Sequence, residues 1–316
     1  MDRTDENKQN YDLVIIGAGC AGLTSGIYAG RYKLKTAIIG SYQNSVIIEA
    51  HDIENYPGFV SISGMDLMKK FKESVDLLEV PVLDEEVRSV KKDKDKFCIT
   101  TTDGKKEIYA DAVIVACGTK KRKLGIDGED AFGSRGVSYC VTCDAPLFND
   151  KTTAVIGGSD SACQAAILLS KHAKKVYLIH RKDKLRGEPI NVEHVLKNKK
   201  IEIIYATNVM KFKGAKMLES IELDKEYDGS KELPLDGVFI EIGTVPSTYF
   251  LEGLNLNLTK NNEIIVDKFC KTNAEGVYAA GDITDTPLRQ LVTACGQGSI
   301  AALSAFKYIL KKKRSQ

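Results

Sequence analysis

The stretch that decides the fold is YDLVIIGAGCAG, residues 11–22, in which an apolar segment of strand length leads into three glycines spaced as G-x-G-x-x-G. The helix-compatible segment Leu23–Ala29 follows at once. A strand, this glycine pattern and a helix are typical of a dinucleotide-binding βαβ unit, because the glycines let the backbone approach a pyrophosphate whose charge lies at the helix N-terminus. Gly17, Gly19 and Gly22 are therefore predicted to contact a dinucleotide.

A second unit of this kind begins near residue 152. The strand pattern at 152–156 leads into GGSDSA at 157–162, and helix and strand patterns follow. Gly157 and Gly158 are predicted to contact a second nucleotide. Ser159 replaces the middle glycine of the pattern and adds a side chain where backbone is expected to approach phosphate.

A basic cluster follows the second strand of this unit. Arg181, Lys182 and Arg186 stand where an NAD-binding domain places an acid. An acid would repel a 2′-phosphate, whereas these cations attract one and donate hydrogen bonds to it. The cluster predicts NADPH rather than NADH. The alternative is a basic surface without a ligand, since lysine is common in this part of the chain.

A Cys-x-x-Cys pair followed by a carboxylate lies between the two glycine patterns, at Cys140, Cys143 and Asp144. Two thiols at this spacing can cycle between dithiol and disulfide. The alternative is half of a zinc site, which needs a second pair at a similar spacing. The remaining cysteines are isolated in the sequence: Cys20, Cys98, Cys117, Cys163, Cys270 and Cys295. Redox chemistry is therefore favoured, and no metal site is predicted.

Length and composition predict a globular protein. The 316 residues are enough for two domains, and the net charge of +2 gives no reason to expect nucleic acid as a partner. The uncharged segment Leu13–Gly30 contains five glycines and begins as a strand, so no membrane span is predicted. The polar N-terminal segment has no signal-peptide core, and we expect a cytoplasmic protein. The basic end at 311–314 is interpreted as a solvated helix terminus.

The remaining patterns place the other elements. They predict a helix at 65–78, a hairpin at 87–101 with a charged turn, a buried strand at 112–116, further strands within 201–242, a short strand at 263–266 and a long helix at 291–310. Gly276–Asp282 is interpreted as a strand that ends at an aspartate. Asp282 can bond a ribityl hydroxyl or serve only as a helix cap.

The order of these motifs resembles that of the low-molecular-weight thioredoxin reductases. The resemblance extends from about Tyr11 to Leu310 and includes ENYPG at 54–58, the Cys-x-x-Cys-Asp segment, HRKDxxR at 180–186, AAGD at 279–282 and RQxxxAxGxG at 289–298. It implies an α/β fold with two Rossmann-like domains, in which an NADPH domain (122–251) is inserted into a discontinuous FAD domain (1–121 and 252–316). It also implies a homodimer that reduces thioredoxin or a thioredoxin-like protein.

The same resemblance assigns roles to single residues. It implies that Cys143 faces the flavin, that Cys140 attacks the partner disulfide and that Asp144 is the general acid. The implied FAD contacts are Gly17, Gly19, Gly22, Asn55, Asp282, Arg289 and Gln290. The implied NADPH contacts are Gly157, Gly158, Arg181, Lys182 and Arg186.

Two departures from the family pattern leave alternatives open. Asn44–Ile47 stands where the family carries Gly-Gly-Gln-Leu, and Tyr42 stands where an acid is expected. These changes leave the FAD contacts of this loop open, and Ser159 keeps a ferredoxin-dependent flavin thioredoxin reductase among the alternatives. The others are a dithiol oxidase of the same fold and a zinc-binding nucleotide sensor without catalysis.

Overall fold

The computed structural model describes residues 8–50, 52–102 and 107–315. The α-helices are α1 Cys20–Arg31, α2 Gly64–Asp76, α3 Val141–Asp144, α4 Asp160–Ser170, α5 Pro189–Lys197 and α6 Leu291–Arg314. The strands are β1 Lys8–Ile16, β2 Thr36–Ile39, β3 Val82–Leu83, β4 Val87–Asp93, β5 Lys96–Thr101, β6 Glu107–Val115, β7 Thr119–Lys121, β8 Val137–Ser138, β9 Thr152–Gly157, β10 Lys175–His180, β11 Ile201–Tyr205, β12 Val209–Lys213, β13 Ser220–Tyr227, β14 Ser230–Pro234, β15 Gly237–Glu241, β16 Thr244–Pro246 and β17 Val277–Ala279. Short 3₁₀ helices cover Tyr42–Asn44, Val46–Glu49, Ala145–Phe148 and Tyr249–Leu254.

The chain divides into two compact units. One comprises the residues up to Lys120 together with those from Val245 onwards, and the other comprises Lys121–Thr244. The first unit is therefore built from both ends of the chain. In the described parts of both units, no helix is long and apolar enough to cross a membrane.

The first unit is organised around a sheet in the order β3-β2-β1-β6-β5-β4, and β17 also pairs with β6. Strands β1, β2, β3, β6 and β17 pair in parallel, whereas β4 and β5 form an antiparallel hairpin on β6. The centre of β1 carries no polar side chain from Leu13 to Ile16, and all four residues are buried. This is the pattern of a parallel strand covered on both faces.

The long C-terminal helix α6 packs against α1, where small residues allow a close approach. The Ser25 hydroxyl bonds the Gly298 carbonyl at 3.0 Å, and a Cβ on Gly298 would lie 2.4 Å from the Ala21 carbonyl oxygen. The basic end of this helix is not only solvated. Lys312 pairs with Asp111 at 2.8 Å and Lys313 with Asp12 at 2.7 Å.

The second unit has a five-stranded parallel sheet in the order β11-β10-β9-β15-β8. A separate antiparallel sheet, β12-β13-β14, carries the long β13 hairpin. The parallel sheet positions the nucleotide motif, because β9 is central and its carboxyl end leads directly into the turn before α4. Ligands bind at this edge of open α/β sheets.

One predicted element is absent. The short strand at 263–266 does not form, and only Ile264 makes isolated bridges, to Leu258 and Thr284. The apolar alternation of this segment comes from packing, since Ile264 is fully buried against the sheet of the first unit.

Candidate active site

The Cys-x-x-Cys pair forms a disulfide in the second unit. Cys140 and Cys143 are bonded through their sulfurs, with their Cα atoms 5.4 Å apart. Cys140 lies between the short strand β8, which joins the edge of the parallel sheet at β15, and the single-turn helix α3, which contains Cys143. The prediction that these two thiols can join is therefore confirmed, and in this state they cannot hold zinc.

Hydrogen bonds distinguish the two sulfurs. The backbone N–H of Cys143 donates to the sulfur of Cys140 at 3.2 Å, so that Cys140 caps α3. A hydrogen bond to a sulfur anion favours the thiolate over the thiol. Once the pair is reduced, the structure thus favours negative charge on Cys140. Asp144 follows on the same helical turn, and its N–H donates to the Cys140 carbonyl at 3.2 Å.

The other cysteines sit in unreactive environments. Burial raises the pKa of Cys20 and Cys117 to about 12, and that of Cys163 and Cys270 to about 11. Thiols with such pKa values carry almost no thiolate at neutral pH, and the thiolate is the nucleophile. The dithiol at 140–143 is therefore the site at which we expect exchange chemistry.

The first glycine pattern forms the turn that its spacing predicts. Gly17 has φ +110°, and a Cβ there would lie 2.3 Å from the Ala116 carbonyl oxygen. A Cβ on Gly22 would lie 1.8 Å from the Gly17 carbonyl oxygen. No larger side chain fits either position. The strand, the turn and the helix therefore contact one another directly through their backbones.

The N-terminus of α1 is left without a protein cap. Its N-cap is Gly19, which has no side chain to bond the first amides. In α2, by contrast, the Ser63 hydroxyl accepts from the Asp66 amide at 3.1 Å. Open amides at such a terminus suit an anion. Ser45 lies beside this terminus, since a Cβ on Gly19 would come 3.3 Å from its hydroxyl. The loop at 44–47, which differs from the family pattern, therefore brings a polar side chain to the first glycine pattern. The sequence did not indicate this contact.

The structure brings together two predicted FAD contacts that are far apart in sequence. The Asn55 side-chain amide donates to the side-chain oxygen of Gln290 at 3.1 Å. Arg289, the preceding residue, forms an ion pair with Glu263. Glu263 is not one of the predicted contacts.

Asp282 lies on a turn that is held in place by Gln297, a residue to which the sequence analysis assigned no role. The Gln297 side-chain carbonyl accepts from the Gly281 amide at 2.8 Å and from the Thr284 hydroxyl at 3.3 Å. Burial raises the pKa of Asp282, and the Arg289 charge opposes this shift. Gln297 is a variable position of the RQxxxAxGxG motif at 289–298, between its two glycines. This position was the only feature of the sequence that could have indicated its role.

The second glycine pattern explains the serine at its centre. A Cβ on Gly157 would lie 2.2 Å from the Glu241 carbonyl oxygen, and one on Gly158 would lie 2.2 Å from His180 Nδ1. Ser159 meets no such restriction: its φ is −87°, and its hydroxyl bonds Ser161 at 3.0 Å rather than capping α4. Only the two glycines are required by close packing, and the serine leaves the helix terminus open.

The basic cluster lies next to this turn. The Arg186 amide donates to the Gly158 carbonyl at 2.7 Å, which attaches the cluster to the glycine pattern. The side chains of Arg181, Lys182 and Arg186 are exposed, and within the described part of the chain no carboxylate forms an ion pair with them. Three unpaired cations at the edge of the sheet are available to an anionic ligand.

His180 is a second residue that the sequence interpretation did not assign. Its ring packs over Gly158 and is 3 % exposed. Burial lowers its pKa, and the charges of Arg186, Arg181 and Lys182 lower it further, whereas the hydrogen bond that the ring donates to the Lys184 backbone carbonyl raises it. The ring is therefore neutral at pH 7. Its Nε2 has no hydrogen-bond partner among the described residues.

Comparisons with known proteins agree with this geometry. Residues 11–298 match the pyridine nucleotide-disulphide oxidoreductase family. A Listeria monocytogenes protein named thioredoxin reductase is 38% identical over 309 residues, which cover 96% of each chain. A crystal structure of Lactococcus lactis thioredoxin reductase superimposes with a TM-score of 0.90 at 34% identity, covering 95% of this chain and 99% of that one. A crystal structure of T. acidophilum thioredoxin reductase superimposes with a TM-score of 0.87 at 36% identity, covering 95% of this chain and 98% of that one.

These similarities confirm the motif-based resemblance and the α/β fold with two Rossmann-like domains. They cover both glycine patterns and the dithiol between them. The family match covers residues 11–298, and a relative is 38% identical over 96% of the chain. The chain belongs to the pyridine nucleotide-disulphide oxidoreductase family.

Proposed function

We propose that the chain is an NADPH-dependent thioredoxin reductase, which reduces the disulfide of thioredoxin or of a thioredoxin-like protein. The observation that carries the proposal is the Cys140–Cys143 disulfide in the unit that also contains the second nucleotide-binding pattern. The relatives named thioredoxin reductase support the same activity over almost the whole chain. Its cofactors are FAD and NADPH, in keeping with its family.

We assign FAD to the first unit and NADPH to the second, so that the FAD domain is discontinuous and the NADPH domain is inserted. The residues of the first unit fit a flavin dinucleotide because the N-terminus of α1 is uncapped at Gly19 and the packed turn at Gly17 leaves only backbone there. Asp282 and the Asn55–Gln290 pair would hold its polar groups. When bound, FAD accepts a hydride from NADPH and supplies two electrons to a disulfide, which no side chain can do.

NADPH would be held by the turn at Gly157 and Gly158 and by the basic cluster. Arg181, Lys182 and Arg186 are exposed and can donate several charge-assisted hydrogen bonds to a 2′-phosphate. Ser159 does not obstruct this site, since its hydroxyl is directed to Ser161. This geometry supports NADPH as the electron donor and gives the ferredoxin-dependent alternative less support.

The reduced pair transfers its electrons by thiol–disulfide exchange. The Cys140 thiolate attacks one sulfur of the partner disulfide, and the other partner sulfur leaves as a thiolate. Cys143 then attacks the Cys140 sulfur of the mixed disulfide, which restores the Cys140–Cys143 bond and releases the partner as a dithiol. Two electrons pass to the partner. Asp144 is the proposed general acid that protonates the leaving sulfur, as it stands next to Cys143 on α3.

We further propose that the enzyme is a cytoplasmic homodimer. The homodimer rests on the resemblance of the chain to its family, and the cytoplasmic location rests on the sparse cysteines of the sequence. Size-exclusion chromatography with light scattering measures the oligomeric state, and a mass near twice 34.7 kDa is expected.

Anaerobic stopped-flow absorbance tests the proposed function. We expect the purified protein to show a flavin band that NADPH bleaches rapidly and NADH much more slowly. The reduced protein should then reduce a thioredoxin, and Cys143→Ser should abolish this second step while it leaves flavin reduction by NADPH intact. Full thioredoxin reduction by Cys143→Ser would refute the dithiol mechanism.

Two other outcomes would select the alternatives. A flavin that reduced ferredoxin bleaches, but neither nucleotide does, would replace NADPH by ferredoxin as donor. Peroxide formed in proportion to the loss of substrate thiols, without NADPH, would indicate a dithiol oxidase.

A further inference from the structure

A buried carboxylate lies close to the dithiol in the second unit and has no role in the exchange steps. Glu129 is 3 % exposed. Its carboxylate accepts hydrogen bonds from the amides of Leu124 at 2.9 Å and Gly125 at 2.6 Å, and from the Tyr139 hydroxyl. Burying a charge is costly unless several donors compensate it. The two amides hold Glu129 itself, and the third bond goes to the residue directly before Cys140.

Tyr139 is a permanent donor to this carboxylate. Burial raises its pKa, and the hydrogen bond to Glu129 raises it further, so the hydroxyl stays protonated at every physiological pH. The ring is partly buried and packs against the core cluster of the second unit. Since the ring is attached at both ends, the backbone at residue 139 has little freedom.

A second contact holds the same stretch from its other side. The Ser138 hydroxyl accepts from the Cys140 amide at 3.0 Å and donates to the Cys140 carbonyl at 3.3 Å. Ser138 itself lies in β8, which pairs with β15. The backbone of Cys140 is thus restrained by the sheet through Ser138 and by a buried carboxylate through Tyr139.

The segment that carries Glu129 is also firmly attached. The Phe212 amide of β12 donates to the Asp127 carbonyl at 2.9 Å. A Cβ on Gly128 would lie 2.6 Å from the Phe212 carbonyl oxygen, so the backbone contact is close. Glu129 therefore connects a fixed part of the second unit to the dithiol.

We infer that Glu129 is a positioning residue for the dithiol, acting through the Tyr139 hydroxyl to hold Cys140 where it can close the ring with Cys143. This inference rests on the proposed function only in that it assigns the dithiol a redox role. Its consequence is thermodynamic: with Cys140 held in place, less chain entropy is lost on closing the disulfide. Removing the anchor should favour the open dithiol.

The test is a redox titration of the FAD-loaded protein against glutathione, in which protein dithiol and glutathione disulfide exchange to give protein disulfide and two glutathione thiols. Samples at each ratio are quenched with maleimide, and the labelled thiols are counted by mass. The variants are Tyr139→Phe and Glu129→Gln. Tyr227→Phe is the matched control, because its hydroxyl bonds Glu202 in the same unit, away from the dithiol.

For Tyr139→Phe we expect the equilibrium constant for ring closure to fall about threefold to tenfold, which moves the midpoint potential by roughly 15–30 mV toward positive values. Tyr227→Phe should leave it unchanged. Glu129→Gln should shift it in the same direction and at least as far. The inference is wrong if Tyr139→Phe titrates with the wild-type midpoint, or if Tyr227→Phe shifts it as much.

The titration uses neither NADPH nor thioredoxin, so its result is separate from that of the proposed function. A shifted midpoint in a protein that fails to reduce thioredoxin would support the positioning role and reject the substrate. An unshifted midpoint in an active reductase would reject the positioning role and support the proposed function. Tyr139→Phe removes a single oxygen, and it keeps the inference testable if Glu129→Gln does not fold.

Discussion

Replacing Gly158 with alanine tests whether the His180 ring packs directly against the glycine turn of the second unit, as the structure shows. The added Cβ would lie 2.2 Å from His180 Nδ1 and 2.3 Å from its Cε1, whereas unstrained contacts between such atoms are about 3.5 Å. Gly158 does not have a positive φ, so alanine brings no backbone strain and the whole cost is steric. The ring is 3 % exposed and has no open space to enter.

The magnitude follows from this overlap. The ring or the turn must move by roughly 1 Å, and overpacking a filled site costs about 1–3 kcal/mol. We expect Tm to fall by about 5 °C. Because Arg181 and Lys182 follow His180 directly, the affinity for NADP⁺ should fall about tenfold, near 1.4 kcal/mol. FAD content should not change, since the substitution lies in the other unit.

A double-mutant cycle with His180→Ala supplies the control. Removing the ring makes room for the new methyl group, so Gly158→Ala should cost less than about 1 °C in that background. Tm is measured by differential scanning calorimetry and NADP⁺ binding by isothermal titration calorimetry. Contacting residues couple, whereas independent sites add within about 0.3–0.5 kcal/mol. Additive effects of the two substitutions would refute the packing argument.

Three further predictions concern charge. Asp282→Asn should weaken FAD binding about tenfold, since a hydrogen bond to a charged carboxylate is lost, yet raise the Tm of the FAD-free protein, because partial burial raises the pKa of this carboxyl and its ionised form opposes folding; a lower Tm in the FAD-free protein would contradict this. The lowered pKa of His180 means that the unfolded chain binds a proton that the folded chain does not, so stability should fall as pH drops below about 6.5, the ordinary value; Tm at pH 7.5 and 5.5 measures it, and His180→Asn should reduce the difference. Arg181→Gln should raise KM for NADPH about tenfold and leave KM for NADH unchanged. An equal rise in both KM values would show that Arg181 does not recognise the 2′-phosphate.

Much of the molecule follows from local sequence rules. The glycine spacing at 17–22 predicts a strand–turn–helix because only glycine allows φ +110° at Gly17 and backbone contact at Gly22. The helix at 65–78 and the hairpin at 87–101 were correctly predicted for similar reasons, as each depends on periodicity within one segment. The Cys-x-x-Cys spacing is short enough for the disulfide to form within one turn.

The two nucleotide-binding turns and the dithiol were therefore predictable from neighbouring residues, and the order of the motifs along the chain indicated the fold class and the family. Tertiary structure decided whatever depends on residues distant in the chain. It left the segment at 263–266 without a strand, because strand pairing needs a partner that local alternation does not identify. It brought Asn55 to Gln290 across 235 positions and left Ser159 free of the packing that restricts Gly157 and Gly158. It also gave the buried Glu129 carboxylate three hydrogen-bond donors, which no sequence motif indicates.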